Sequence, residues 1–328
     1  MIILHTLHWI QFAGTEKVCV DLCNELSKEH TIYLLTNEKI KPYINDSVNF
    51  IDFDFKKSRR NPFFLYKVAK MVEKINPDII HVHNTKELEI MYNARFFMKK
   101  KILIIATKHT LTPKKRYKLA DLAVGILEDT HSIIESKNSI IIKNGMAYKE
   151  PKLLPKEKTF HIVSAARLTP AKGMDIVIKA VSLLNFEFKL SLYGRGEQEE
   201  ELKQLIKNLN LEDKIEIVGF VDNLNDYLFS SDVQIIASRF EPYGLTAIDG
   251  IYYSKVLLST KTGICEQILY DELLFETNYE ALANKLEDVY TNYEKYVTLF
   301  SKIKDTKDNY SIEKMAEKYF EAYKSLLK

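Results

Sequence analysis

No apolar run in the chain is long enough to cross a membrane, and Met1 leads straight into Ile2-Ile3-Leu4 with neither a basic leader nor a cleavage site. A cytoplasmic protein is therefore predicted. The three cysteines exclude a disulfide framework. Cys19 and Cys23 lie one helical turn apart in an apolar stripe and Cys265 stands far off, a pattern of buried free thiols that suits a reducing compartment. Ten Gly and eight Pro among 328 residues leave no low-complexity stretch, and no internal repeat is present. Disorder is not expected.

Charge of one sign is also missing overall, since the net charge is only +2. That balance hides an asymmetry. Residues 1 to 150 carry 24 Lys and Arg against 17 Asp and Glu, a net of +7, and the remainder carries 23 against 28, a net of −5. The basic excess gathers in Lys56-Lys57-Ser58-Arg59-Arg60, in Lys99-Lys100-Lys101 and in Pro113-Lys114-Lys115-Arg116-Tyr117-Lys118. Such clusters are solvated loops or meet an anionic partner. Nucleic acid is the poorer partner, because no recognition helix or RNA-binding motif accompanies them.

Two further signatures are absent. Tyr193-Gly194-Arg195-Gly196 follows a strand and opens a helix, but Glu199 stands where a dinucleotide fingerprint needs its third glycine. The first loop, Gln11-Phe12-Ala13-Gly14-Thr15-Glu16-Lys17, has a single Gly, which argues against nicotinamide binding. His81 and His83 alternate onto one strand face, and His109 follows another strand, yet no HExxH or paired-cysteine pattern supports a metal site.

What is present is an alternation of short apolar runs and amphipathic stretches. Ile2 to Leu4, Thr31 to Leu35, Ile79 to Val82, Ile102 to Ala106, Leu122 to Ile126 and Ile140 to Ile142 read as strands, with helices at Glu16 to Glu29 and Phe63 to Ile75. A polar stretch from Lys149 to Lys158 separates this half from a second series of strands, at Phe160 to Ser164, Lys189 to Tyr193, Ile215 to Val218, Val233 to Ile236 and Val256 to Ser259. Glu199 to Asn208 and Leu224 to Phe229 are helices between them. The tail from Ser311, a suitable N-cap, sets Ile312, Met315, Ala316, Tyr319, Phe320, Tyr323 and Leu327 on one helical face. The predicted class is α/β, with two doubly wound Rossmann-like domains facing a central cleft, at residues 1–150 and 151–310, and a terminal helix at 311–328.

Chemistry gathers after the strands of the second half. Arg167 and Lys172 follow one strand, and a guanidinium fork with a point charge suits a diphosphate and its departure. Ser238-Arg239-Phe240-Glu241-Pro242-Tyr243-Gly244-Leu245-Thr246-Ala247-Ile248-Asp249 follows another. Gly244 and Leu245 would start a helix there, turning free amides and the positive end of its dipole toward an anion. Glu241 can accept from sugar hydroxyls, and Asp249, about one turn inside the helix, can reach a ribose diol.

These motifs resemble, over nearly the whole chain, the retaining glycosyltransferases of GT-B fold in family 4. The family's pair of acids with seven residues between them reads here as Glu241 and Asp249, with Tyr243-Gly244-Leu245 inside that interval. Arg167 and Lys172 match its phosphate-binding pair, Gly14 its glycine-rich loop and His109 its cleft histidine. Asn144-Gly145, Gly194-Arg195-Gly196, Val218-Gly219-Phe220 and Thr262-Gly263-Ile264-Cys265-Glu266 fall in family order. The resemblance implies that the second domain binds a nucleoside diphosphate sugar, with a UDP-sugar the expected donor. The base would lie near Gly219, Phe220 and Val221, the ribose at Asp249, the diphosphate at Arg167, Lys172 and Gly194, and the sugar at Glu241. Gly14 and Thr15 would serve the acceptor or a phosphate, His109 the donor sugar, and the tail helix would brace the first domain. No cofactor or metal is implied.

The function so implied is retaining transfer of a hexose to a hydroxyl of a glycan or glycolipid in bacterial-type surface polysaccharide synthesis. The basic first half adds peripheral contact with anionic lipid at the inner face of the membrane. Since no carboxylate is assigned beneath the anomeric carbon, front-face substitution is expected. Three features depart from the family: Asp249 is one methylene shorter than Glu, and Ala13-Gly14 and Thr262-Gly263 each replace a Gly-Gly. They leave open a non-catalytic nucleotide-sugar-binding or assembly subunit of the same fold, and a GT-B-fold nucleotide-sugar epimerase is a separate alternative.

Overall fold

The computed structural model describes residues 1–8, 13–55, 58–155 and 159–328. Gln11 and Phe12 of the first loop, Lys56 and Lys57 of the first basic cluster, and residues 156–158 of the polar stretch lie outside them. The chain divides into two units, one comprising Met1–Ala147 and Tyr310–Lys328, the other Tyr148–Asn309.

The first unit runs β1 (Ile2–Thr6), α1 (Gly14–Leu26), β2 (Thr31–Thr36), β3 (Val48–Asp52), α2 (Pro62–Ile75), β4 (Ile79–Val82), α3 (Thr85–Ala94), β5 (Leu103–Lys108), β6 (Leu122–Gly125), α4 (Glu128–Ser132) and β7 (Ser139–Ile141). Its seven strands are parallel in the order β3-β2-β1-β4-β5-β6-β7. The second unit runs β8 (Phe160–Ala165), α5 (Met174–Val181), β9 (Phe188–Tyr193), α6 (Glu199–Asn208), β10 (Ile215–Gly219), α7 (Leu224–Ser230), β11 (Val233–Ile236), α8 (Leu245–Tyr253), β12 (Leu257–Thr260), α9 (Cys265–Ile268), β13 (Leu274–Phe275), α10 (Tyr279–Thr291) and α11 (Tyr293–Lys304). Its six parallel strands are ordered β10-β9-β8-β11-β12-β13. In each sheet the order reverses beside the first strand, so the β1/β4 and β8/β11 ends are the topological switch points where such sheets bind ligands.

Local chemistry explains the elements. Every residue of β4, β6, β11 and β12 is buried, as expected for parallel strands covered on both faces. Asn61 caps α2 by accepting from the Phe63 and Phe64 amides, with Pro62 at the first helical position. Asn76 ends that helix in the left-handed region just before Pro77.

α12 (Ile312–Leu327) completes the first unit by packing on α1 and β5. Ser311 caps it, accepting from the Lys314 amide. Its buried face is Ile312, Met315, Ala316, Tyr319, Ala322 and Tyr323. Two expectations for this face change. Leu327 is exposed because the helix ends there, and Phe320 is only half-buried, stacking on His30 with ring centroids 4.2 Å apart.

Candidate functional site

The second unit builds its site at the β8/β11 switch point. The loop after β8 carries Arg167, exposed, and Lys172, whose side chain keeps only 12% of its exposure. Gly173 follows in the left-handed region (φ +66°), where a Cβ would lie 2.0 Å from the Ala237 carbonyl oxygen. The absence of a side chain thus lets the Lys172 loop rest on the end of β11. From that end the chain runs to Glu241, which forms an ion pair with Lys172. A strand-end lysine and a strand-end glutamate are therefore joined at the switch point.

Neighbouring groups hold this pair in place. The Arg239 amide donates to the Ala171 carbonyl at 2.8 Å, and its guanidinium grips Asp175 through two bonds of 2.8 and 2.7 Å while also donating to the Pro170 carbonyl. Arg239 is thereby committed to bracing the loop. Gly244 (φ +93°) precedes α8, and no side chain caps that helix, leaving its N-terminal dipole end available to an anion. Tyr243 is buried, and its carbonyl accepts from the Ile264 amide at 2.7 Å, which seats the Thr262-Gly263-Ile264 loop on the turn. Leu245 opens α8, and half-buried Asp249 is its fifth residue.

The resemblance places Gly194 at the diphosphate, and in the structure the glycines of the Gly194-Arg195-Gly196 loop make room for protein backbone. A Cβ on Gly194 would lie 1.8 Å from the Ala166 carbonyl oxygen and one on Gly196 2.2 Å from that of Leu168. The glycines admit the Arg167 loop instead. The Gly194 amide is also spent, on the Gly219 carbonyl at 2.8 Å. Gly219 ends β10, followed by Phe220, which is 56% exposed, and half-buried Val221. An exposed aromatic ring there can stack on a base.

The first unit has its own cavity at the β1/β4 switch point, of about 160 Å³, lined by Thr15, His83, Glu87, His109, Lys114 and Tyr117 among others. Thr15 and His109 are brought together there, while Gly14 sits exposed at the first turn of α1. Behind the cavity runs a buried chain of imidazoles. His109 Nε2 meets His83 Nδ1 at 3.2 Å, and His83 Nε2 meets His5 Nδ1 at 3.2 Å. His81 bonds Tyr323 and Thr107, each at 2.8 Å, and Thr107 bonds Tyr319 at 2.9 Å. Burial lowers His81 and His83 well below the usual range and His109 to about 4, so these three rings are neutral near pH 7.

Sequence reasoning missed His5 and Glu87. Glu87 accepts from the His8 amide at 2.5 Å, the His83 amide at 3.1 Å and the Thr6 hydroxyl at 3.0 Å, while burial pushes its carboxyl up to about 8. In sequence it is an ordinary acid in the first turn of a helix capped by Asn84, and nothing local marks it as buried. His5 lies within 4.8 Å of the Cys19 and Cys23 thiols, and also of His81 and His83, so either trio is close enough to hold a metal ion. Both ring nitrogens of His81 and of His83 already have protein partners, which an ion bound there would displace.

Comparison with known proteins bears on these two sites. The model for glycosyl transferases group 1 matches residues 147–305, and the model for glycosyltransferase family 4 matches residues 12–132. The N-acetylgalactosamine-N,N'-diacetylbacillosaminyl-diphospho-undecaprenol 4-alpha-N-acetylgalactosaminyltransferase of Campylobacter jejuni is 26% identical, over 84% of this chain and 87% of that protein. Among solved structures, a glycosyltransferase from Rickettsia africae superposes with a TM-score of 0.86 at 22% identity, covering 100% of this chain and 98% of that one. Anabaena HepE in complex with UDP and glucose gives 0.84 at 16% identity, covering 99% and 100%. Two parallel doubly wound sheets and these neighbours make the fold GT-B. With both family models matched in order and together spanning most of the sequence, the chain belongs to glycosyltransferase family 4, the glycosyl transferases group 1.

Proposed function

We propose that this glycosyltransferase moves a hexose from a UDP-sugar to a hydroxyl of a glycan or glycolipid acceptor in surface polysaccharide synthesis, with retention of configuration and without a metal. The observation that carries the reading is the Lys172–Glu241 pair, in which Lys172 shares its loop with Arg167 and Glu241 precedes the uncapped start of α8. The Lys172 ammonium has three donors, so one bond to Glu241 leaves two for diphosphate oxygens. Arg167 and the α8 amides supply the remaining neutralisation, and Glu241 keeps a second oxygen for sugar hydroxyls. Phe220 would stack on the base, and Asp249 would take the ribose diol.

The Anabaena neighbour holds UDP and glucose, which favours a uridine donor here. The Campylobacter relative's name describes transfer to a diphospho-undecaprenol-linked sugar, which favours a lipid-linked acceptor. In the proposed step the bond from the anomeric carbon to the diphosphate oxygen breaks, and the acceptor oxygen bonds to that carbon on the same face. The departing diphosphate takes the acceptor proton. Thr15 and His109 would receive the acceptor and the transferred sugar, with neutral His109 offering a hydrogen bond.

Glu241→Ala provides the test. Transfer is expected to fall about a hundredfold or more, with UDP affinity within about threefold of wild type, because the phosphate cations remain. Near-normal turnover by that variant would overturn the assignment.

A further inference from the structure

α2 buries Phe64, Leu65, Val68, Ala69 and Val72, and turns Phe63, Tyr66, Lys67, Lys70 and Lys74 to the outside of the first unit. Phe63 is 86% exposed. The short turn Arg95–Phe97 after α3 adds Phe96, 79% exposed, and Phe97. These are one face. The Tyr66 and Phe97 rings meet edge-on at 6.2 Å, and the Lys99 amide donates to Glu73 of α2 at 2.7 Å. Water penalises large exposed aromatic rings, and their clustering on the outer face of a helix marks an interaction surface.

The charge of this face narrows the partner. Exposed Arg60, Lys67, Lys74, Lys99 and Lys100 lie on the same segments as the rings or next to them in sequence, and form no ion pair among the described residues. Glu73, the acid between them, is taken by Lys70 and the Lys99 amide. Lys70 Nζ lies 5.4 Å from the centre of the Tyr66 ring, so cation and ring share the surface. Aromatic rings accompanied by unpaired cations match an interface whose polar layer is anionic and whose layer beneath is apolar. We infer that the face formed by Phe63, Tyr66, Phe96 and Phe97, with Arg60, Lys67, Lys74, Lys99 and Lys100, docks the protein on an anionic phospholipid bilayer. This deepens the reading of a lipid-linked acceptor and rests on it for its purpose, since a docked enzyme meets its acceptor at the surface.

The test is vesicle flotation of the full chain without donor or acceptor. Wild type is expected to float with vesicles about one-third phosphatidylglycerol, to stay behind with pure phosphatidylcholine, and to be released by salt. Phe63→Ser with Phe96→Ser should weaken binding by about tenfold per ring. Lys67→Glu with Lys99→Glu and Lys100→Glu should weaken it roughly a hundredfold or more. Both variants alter exposed side chains of the first unit, so thermal midpoints and hydrolysis of a soluble UDP-sugar should match wild type. Failure of wild type to float with anionic vesicles would overturn the inference, as would wild-type flotation by both variants. Capture of single-stranded RNA in preference to the vesicles would do the same. Flotation is read without chemistry, so loss of donor hydrolysis by wild type would count against the proposed function alone.

Discussion

Glu241 and Lys172 lie 69 residues apart in sequence and form one ion pair, so the residue scale is where this enzyme is hardest to read from its chain. Each was recognisable beside its strand, but their pairing depends on Gly173 letting the loop close onto Ala237. Gly173→Ala is therefore expected to cost on the order of 2 kcal/mol of stability and to weaken UDP binding, because the strained backbone moves Lys172. Urea unfolding with titration of UDP checks it, and an unchanged midpoint would refute the close approach. The buried imidazoles and Glu87 give a second residue-scale expectation. An unfolded chain protonates its histidines as pH falls through about 6.5, whereas His81, His83 and His109 resist protonation when folded, so they cost stability below that pH. Glu87, raised to about 8, acts oppositely: its contribution is complete below its ordinary value and is lost as pH rises through 8. Three histidines outweigh one carboxyl on the acid side, and of these four groups Glu87 alone acts above pH ~6.5. Relative to Glu87→Gln, the wild-type thermal midpoint should lose ground as pH rises toward 8; a difference between the two proteins that does not change with pH would contradict this.

At the scale of elements, the readable ones carried their own signals. Asn61-Pro62 and Asn76-Pro77 bracket α2, Ser311 caps α12, and the apolar runs at 79–82 and 233–236 match β4 and β11 end to end. α3 was not legible, because buried Glu87 and Glu89 interrupt its apolar pattern and are explained only by partners elsewhere, the His83 amide and Arg59. β3 escaped as a short edge strand with mixed polarity. α12 shows how an element can be legible while its purpose is not. Its stripe was visible, but the Tyr323 hydroxyl on His81 joins residues 242 positions apart. Tyr323→Phe should destabilise the protein by about 1–3 kcal/mol by leaving a buried imidazole nitrogen unpaired, against no more than about 0.5 kcal/mol for exposed Lys324→Ala. Equal midpoints for the two variants in denaturant would refute that role.

For the whole molecule, the charge asymmetry of the sequence takes a physical form. Two of the three basic clusters contribute described cations to the aromatic face, Arg60 from one and Lys99 and Lys100 from another. Arg116 of the third pairs with Glu89 and Lys114 lines the first unit's cavity. The aromatics of that face had no signal in sequence, because Phe63 and Phe64 are adjacent and only packing decides which is exposed. No helix among the described residues is long and apolar enough to cross a membrane. The division of labour proposed for the two units, donor in one and acceptor in the other, rests on the phosphate-binding role given to Arg167 and Lys172. Isothermal titration of UDP into wild type and into Arg167→Ala with Lys172→Ala tests that role most directly. Wild type is expected to bind UDP and the double variant to lose about a hundredfold or more in affinity; equal binding by the two proteins, or no binding by wild type, would contradict it.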